Sequence, residues 1–207
     1  MESRKQQILR TLSNHVRVLS ASQISRRWWS DTRWGLSRAK ESLWELSAGG
    51  LLVMQSVLAR PITELHRPLQ SWRDGEPKPS FTSLAKVLHK RAKVAPQTTT
   101  IVFATAKTVA LFGEGRRPSV KVTQMTHDLH VSEVFLRFLA SGLSSDLWMN
   151  EDQLPSTWPV SVRPDALLLD HNATPLRAIE YGGDYSAARL EALHDGFASI
   201  ELGYELW

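Results

Sequence analysis

Residues 164–185 read PDALLLDHNATPLRAIEYGGDY. One apolar run opens behind Pro164-Asp165 and a second closes on Glu180, so two carboxylates stand at the ends of two adjacent strand-like segments. Upstream, residues 148–154 contain a short strand, and THDLHVSEVFLRFLASG reads as a helix with Val131, Val134, Phe135 and Phe138 on one face. Downstream, SAARLEALHDGFASI places Leu190, Leu193, Phe197 and Ile200 on one helical stripe, and GYELW forms a closing strand. The order is helix, strand, strand, strand, helix, strand. A strand–helix–strand unit at its end favours a mixed sheet covered by helices.

This order, with Asp165 and Glu180 where they stand, resembles the PD-(D/E)xK nuclease superfamily. The resemblance implies that Asp165 and Glu180 hold a divalent cation, Mg²⁺ being suited to hard oxygen ligands, and that Glu133 assists from the first helix. It also implies a lysine two places after the glutamate, where this chain has Gly182. No lysine follows Lys121; the basic residues left are Arg137, Arg163, Arg177 and Arg189, and arginine stays protonated, which makes it a poor general base. Two readings follow. Either Glu133, Asp165 and Glu180 serve a Mg²⁺-dependent nuclease, or the core is a scaffold whose carboxylates cap strand ends or meet Arg189, Arg163 or a backbone N–H. The scaffold is the expectation, with no cofactor. In THDLHVSE, His127, Asp128 and His130 lie within four residues, but no HExxH-type partner accompanies them, and Thr126 or Asp128 is expected to cap the helix.

The other half of the chain is different. Residues 1–95 hold 17 Lys/Arg against 7 Asp/Glu, net +10; residues 96–207 hold 8 against 14, net −6, which together give the overall +4. The basic half suits a polyanion. With no cysteine there are no disulfides, zinc-thiolate sites or cysteine nucleophiles. No run of 18 apolar residues occurs, and MESRKQQILR lacks a signal-peptide core, so a bacterial cytoplasmic, nucleoid-associated protein without membrane contact is expected. Residues 3–14 read as a helix with Ile8, Leu9 and Leu12 inward. Ser20 or Ser22 caps a second. Ser30 or Asp31 caps a third, whose stripe Leu36, Ala39, Leu43 and Leu46 ends at Gly49-Gly50. Two extended runs broken at Pro61 follow, over residues 51–72.

Three helices and a two-stranded ribbon give the order of a winged helix-turn-helix. The third helix then presents Arg33, Trp34, Ser37, Arg38, Lys40 and Glu41 to double-stranded DNA. Arg26 and Arg27 contact phosphates from the end of the second helix, and Arg60, His66 and Arg67 decorate the wing. Residues 73–80, RDGEPKPS, read as a linker dividing a domain 1–75 from a domain 76–207. Beyond it come a basic helix with the stripe Leu84, Val87, Leu88 and Ala92, a strand-like TTTIVFAT, a short helix ending at Gly113, and a loop EGRRPS. Walker-type and Rossmann phosphate loops are absent.

The leading winged helix together with VFATAKTVALFG, QMTHDLHVSEVFLRFL, RPDALLLD and AIEYGGDYSAARLEALH resembles the replication-relaxation family of mobile-element proteins, from about residue 5 to 207. The resemblance implies plasmid or integrative-element biology: DNA binding, with control of transcription, replication or transfer, as an accessory to a relaxase. A homodimer is expected because winged-helix regulators commonly read two half-sites. The expectation is therefore an α+β chain, an N-terminal winged helix followed by a restriction-endonuclease-like core, acting as a DNA-binding regulator. The rivals are a Mg²⁺-dependent nuclease and a protein-interaction module for a relaxase or transposase.

Overall fold

The computed structural model describes residues 2–62, 65–114 and 120–207. Apart from Glu114, the expected loop at residues 114–119 lies outside them. The fold is α+β, with a three-stranded antiparallel sheet and a five-stranded mixed sheet. The chain forms two compact units, residues 1–62 with 96–136 and residues 63–95 with 137–207. They do not part at residues 73–80. That segment is an exposed loop inside the second unit, where the Trp72 indole N–H donates to the Glu76 carbonyl at 3.0 Å.

In the first unit, α1 (Arg4–Asn14) begins in a capping box in which Ser3 and Gln6 satisfy each other's backbone N–H, and it buries Ile8, Leu9 and Leu12. Strand β1 (Leu19–Ser20) leads into α2 (Ala21–Trp28), which Ser20 caps with Gln23 in a second reciprocal box. Helix α3 (Arg33–Ala48) is capped by Thr32 rather than Ser30 or Asp31: the Thr32 hydroxyl accepts the Gly35 N–H at 3.0 Å, while the Ser25 hydroxyl donates to the Ser30 carbonyl in the turn before it. It buries Gly35, Ala39, Leu43 and Leu46 and turns out at Gly50, whose φ of 69° suits glycine.

The expected ribbon is built differently. Strand β2 (Leu52–Ala59) pairs antiparallel over its whole length with β4 (Gln97–Ala104), from Leu52↔Ala104 to Ala59↔Gln97, and β1 joins the far side of β4. The nearer run yields only β3 (Gln70–Trp72), which pairs with a strand of the other sheet. Pro68 has no N–H for a ladder, whereas TTTIVFA is β-branched for most of its length. Residues 60–96 thus leave the ribbon, and Arg67 belongs to the second unit. Helix α5 (Ala106–Phe112) ends at Gly113 as expected.

Helix α6 (Met125–Ala140) runs from the first unit into the second, the change falling after Leu136. Met125 and Leu129 pack with Val18, Ala59 and Ile101. Thr126 and Asp128 do not cap it. The Thr126 hydroxyl accepts the Arg60 backbone N–H at 3.0 Å, and buried Asp128 faces an Arg17 guanidinium nitrogen at 3.5 Å and His127 Nδ1 at 3.6 Å.

In the second unit the sheet order is β3, β8, β7, β6, β5. Strands β5 (Trp148–Asn150), β6 (Ala166–Leu169) and β7 (Pro175–Glu180) form an antiparallel meander, and α7 (Ala187–Ala198) returns the chain to β8 (Tyr204–Leu206), parallel to β7. Helix α4 (Phe81–Ala92) lies over this sheet. It points Phe81, Leu84, Ala85 and Leu88 at the core, so that of the expected stripe Leu84 and Leu88 face inward while Val87 is exposed.

His194 of α7 sits among Trp72, Phe81 and Tyr204, its Nδ1 3.3 Å from the Tyr204 hydroxyl. Burial, and then the charge of Lys78, hold its pKa below the ordinary value against the opposing pull of Asp195 and Glu191. A folded pKa below the unfolded one means that the unfolded chain takes up the proton first. The stability His194 contributes is therefore complete above about pH 6.5 and is lost as pH falls from there toward the folded pKa. Thermal melts at pH 7.5 and 5.5 should show a larger drop for the native chain than for His194→Gln; equal drops would remove His194 as the cause.

Candidate functional site

The meander brings Asp165 and Glu180 together. Asp165 immediately precedes β6 and Glu180 closes β7; with Ala166 opposite Ile179, the next pair along the two strands is Asp165 and Glu180. Asp165 Oδ2 accepts the Tyr181 backbone N–H at 2.8 Å. Glu180, 3% exposed, accepts the Tyr185 hydroxyl on Oε1 at 2.9 Å. Burial, followed by the charges of Glu180 and Asp165, drives the Tyr185 pKa far above its ordinary value, so Tyr185 stays a protonated donor. A backbone N–H and a phenol thus take up one oxygen of each carboxylate.

The arginines have contacts of their own. Arg163 donates to the carbonyls of Leu154 and Pro155 at 3.2 and 3.3 Å, Arg177 pairs with Glu205, and Arg189 lies over the Tyr185 ring at 5.8 Å. Arg137 approaches His66.

Gly182 has a packing reason. It continues the parallel pairing, its N–H donating to the Trp207 carbonyl at 3.0 Å. A Cβ built on it would lie 2.7 and 2.8 Å from the two methyls of Leu88 and 3.1 Å from a methyl of Leu206. Leu88 is fully buried, so α4 occupies the volume into which a side chain at 182 would project. One turn further along α4, the Arg91 guanidinium lies over the Tyr181 ring at 5.6 Å, with Nη1 buried and without a hydrogen-bond partner among the described residues. The aromatic face offsets part of that desolvation. Nothing in the sequence marked Leu88, Arg91, Tyr181 or Tyr185 as parts of the surroundings of Glu180–Gly182, because three of them act through packing or a main-chain atom.

Glu133 belongs to the other unit. It lies in the first unit, 7% exposed, where its Oε2 takes the Gln23 side-chain amide at 3.0 Å and an Arg26 guanidinium nitrogen at 2.6 Å. The expected helical carboxylate is thus a link between α6 and α2, and Arg26, assigned above to phosphates, is its partner. No group of three or more His, Cys, Asp or Glu side chains able to hold a metal occurs among the described residues.

The outward face of α3 is arranged as its periodicity suggests. Arg33, Trp34, Ser37, Arg38, Lys40, Glu41 and Trp44 are all exposed, Trp34 at 65% and Trp44 at 64%. Arg38 pairs with Glu41 one turn on, both side chains more than half exposed, a pairing that contributes little and is readily exchanged. A groove beside α3 is lined by Lys40, Trp44, Met54 and Ser56. Arg27 is exposed at the end of α2, against the Trp28 ring. Arg60 is half-buried.

Protein-family models, curated proteins and solved structures contain no match to this chain. Among the described residues no helix is long and apolar enough to cross a membrane. By sequence, the first unit carries 14 Lys/Arg against 7 Asp/Glu and the second 11 against 14, net +7 and −3, which restores the overall +4.

Proposed function

We propose that the chain is a sequence-specific DNA-binding regulatory or accessory protein of a plasmid or integrative element. In this reading the first unit is a winged helix whose wing is interrupted by residues 60–96, and the second is a nuclease-like core used as a scaffold. The observation that carries the reading is the outward face of α3, an exposed basic and aromatic helix surface in a unit of net charge +7. A helix presented after a short turn from its predecessor suits the major groove, and its cations suit phosphates and base edges. The order α1, β1, α2, α3, β2, β4, with β4 central, supports a winged helix; the meander followed by α7 and a parallel β8 supports a nuclease-like core. The mobile-element setting comes from the sequence resemblance.

Footprinting of the full chain on the DNA that flanks its own gene tests this. A protected site should appear, with affinity falling as salt rises because cations are released from the DNA. Arg38→Ala should weaken that site by about 1–3 kcal/mol where Arg38 reads a base edge, while Arg33→Ala and Lys40→Ala should weaken all sequences alike. Binding that ignores all three substitutions would remove α3 from the interface, and no binding at all would remove the function.

A further inference from the structure

Helix α4 carries a second cationic surface. Lys86, Lys90 and Lys93 are exposed at positions i, i+4 and i+7, hence on one face, and span about 10 Å along the axis at the usual helical rise. None of the three forms an ion pair among the described residues. Other cations of the same unit have partners: Lys78 holds Glu191 and Asp195, Arg177 holds Glu205, Arg163 donates to two carbonyls, and Arg91 and Arg189 lie over tyrosine rings. Residues 81–95 contain 4 Lys/Arg and no Asp/Glu, while the remainder of the unit has 7 against 14. A unit with a surplus of carboxylates thus leaves one stripe of lysines uncompensated. The helix dipole accounts for cations in the last turn but not for Lys86, in the middle of α4.

We propose that Lys86, Lys90 and Lys93 form a second, sequence-independent contact with the DNA phosphate backbone; this rests on the reading of the chain as a DNA-binding protein and extends it to the second unit. Long flexible ammonium side chains at one-turn intervals suit a row of phosphates, which they meet as point charges and not through a fixed fork. An anionic membrane fits the stripe less well. A helix that binds lipid buries its apolar face in the bilayer, and the apolar face of α4 (Phe81, Leu84, Ala85 and Leu88) is already packed in the core of the unit.

The test uses the full chain and a duplex lacking the specific site, with affinity measured across a salt series. The variant Lys86→Gln/Lys90→Gln/Lys93→Gln should fold as the native chain does by circular dichroism and thermal melting, since all three side chains are exposed. Its log–log salt slope should be shallower by about 2–3, because each lost phosphate contact removes about 0.9. A control, Arg73→Gln/Lys121→Gln, removes exposed cations that belong to neither α3 nor α4 and should change the slope by less than about one. An unchanged slope in the α4 variant, with binding still sensitive to Arg33→Ala and Lys40→Ala, overturns this inference and leaves the α3 interface standing. Absence of DNA binding by the native chain overturns both. Binding to phosphatidylserine vesicles that the α4 variant loses, while its DNA slope stays native, assigns the stripe to lipid and overturns the DNA contact.

Discussion

Gly182→Lys is expected to destabilise the chain by about 3 kcal/mol and to produce no metal-dependent cleavage of DNA. The substitution restores the residue that the nuclease pattern has at this place, so a chain lacking only that residue would gain activity. Here the space is filled. The first atom of any side chain meets Leu88 at 2.7 Å, and Leu88 has no exposed surface into which to retreat. Overpacking of this kind costs about 1–3 kcal/mol, and the lysine stem would in addition draw an ammonium into a core of Leu88 and Leu206. Leu88→Ala alone should cost about 2–5 kcal/mol through the cavity it leaves. The double variant Gly182→Lys/Leu88→Ala should be more stable than the sum of the two losses, because one change makes room for the other. Denaturant melts of the four chains measure that coupling. An additive cycle would show that Leu88 does not guard the position. Cleavage by Gly182→Lys with Mg²⁺ or Mn²⁺, abolished by Asp165→Ala and by Glu180→Ala, would show that the scaffold retains a competent metal site.

The contrast between Gly182 and its surroundings shows where sequence reading reaches its limit. The end of the chain was legible because each element there carries its own period: Leu190, Leu193 and Phe197 three or four apart in α7, then the short strand at Tyr204–Leu206. The start of α2 was legible to within Ser20 or Ser22, and the fold selects Ser20, which with Gln23 three residues on satisfies two N–H groups locally. The partner of β2 was not, since a strand pattern shows which face is buried but not which distant run completes the ladder. Bridging residues 60–96 adds little closure cost over a shorter loop, so the better-matched eight-residue β4 takes the place of the nearer, proline-containing run. The stripe of α4 was legible at Leu84 and Leu88 but not at its flank: Val87 is as apolar in sequence as Phe81 and Ala85, and only the sheet beneath decides that the latter two face the core. Asp165 and Glu180 could be read as neighbours from strand order, and a backbone N–H stood among their expected donors, but neither its place at Tyr181 nor the Tyr185 hydroxyl, five residues after Glu180, could be read.

Glu133 is where two readings of one residue make opposite predictions. As an assisting nuclease carboxylate it would be needed for cleavage and irrelevant to DNA affinity. In the structure it is a buried acceptor for Gln23 and Arg26, and Gln23 also donates to the Leu129 carbonyl at 2.9 Å, so one side-chain amide and one carboxylate tie α2 to α6. Glu133→Ala should therefore cost about 2–4 kcal/mol: a buried amide N–H loses its acceptor, and a partly buried guanidinium loses its counter-charge. Glu133→Gln should cost less, because an amide oxygen can still accept from Gln23. The same change releases Arg26, whose side chain is one-third exposed in the pair. An arginine at the end of α2 without its carboxylate becomes available to phosphate, and removal of a negative charge acts in the same direction. At a temperature where both chains are folded, Glu133→Ala should bind non-specific duplex more tightly than the native chain and with a salt slope steeper by about one contact, near 0.9. Arg26→Ala in the Glu133→Ala background should abolish that gain. A Glu133→Ala chain as stable as the native one, or a gain that survives loss of Arg26, would detach the ion pair from both stability and DNA affinity.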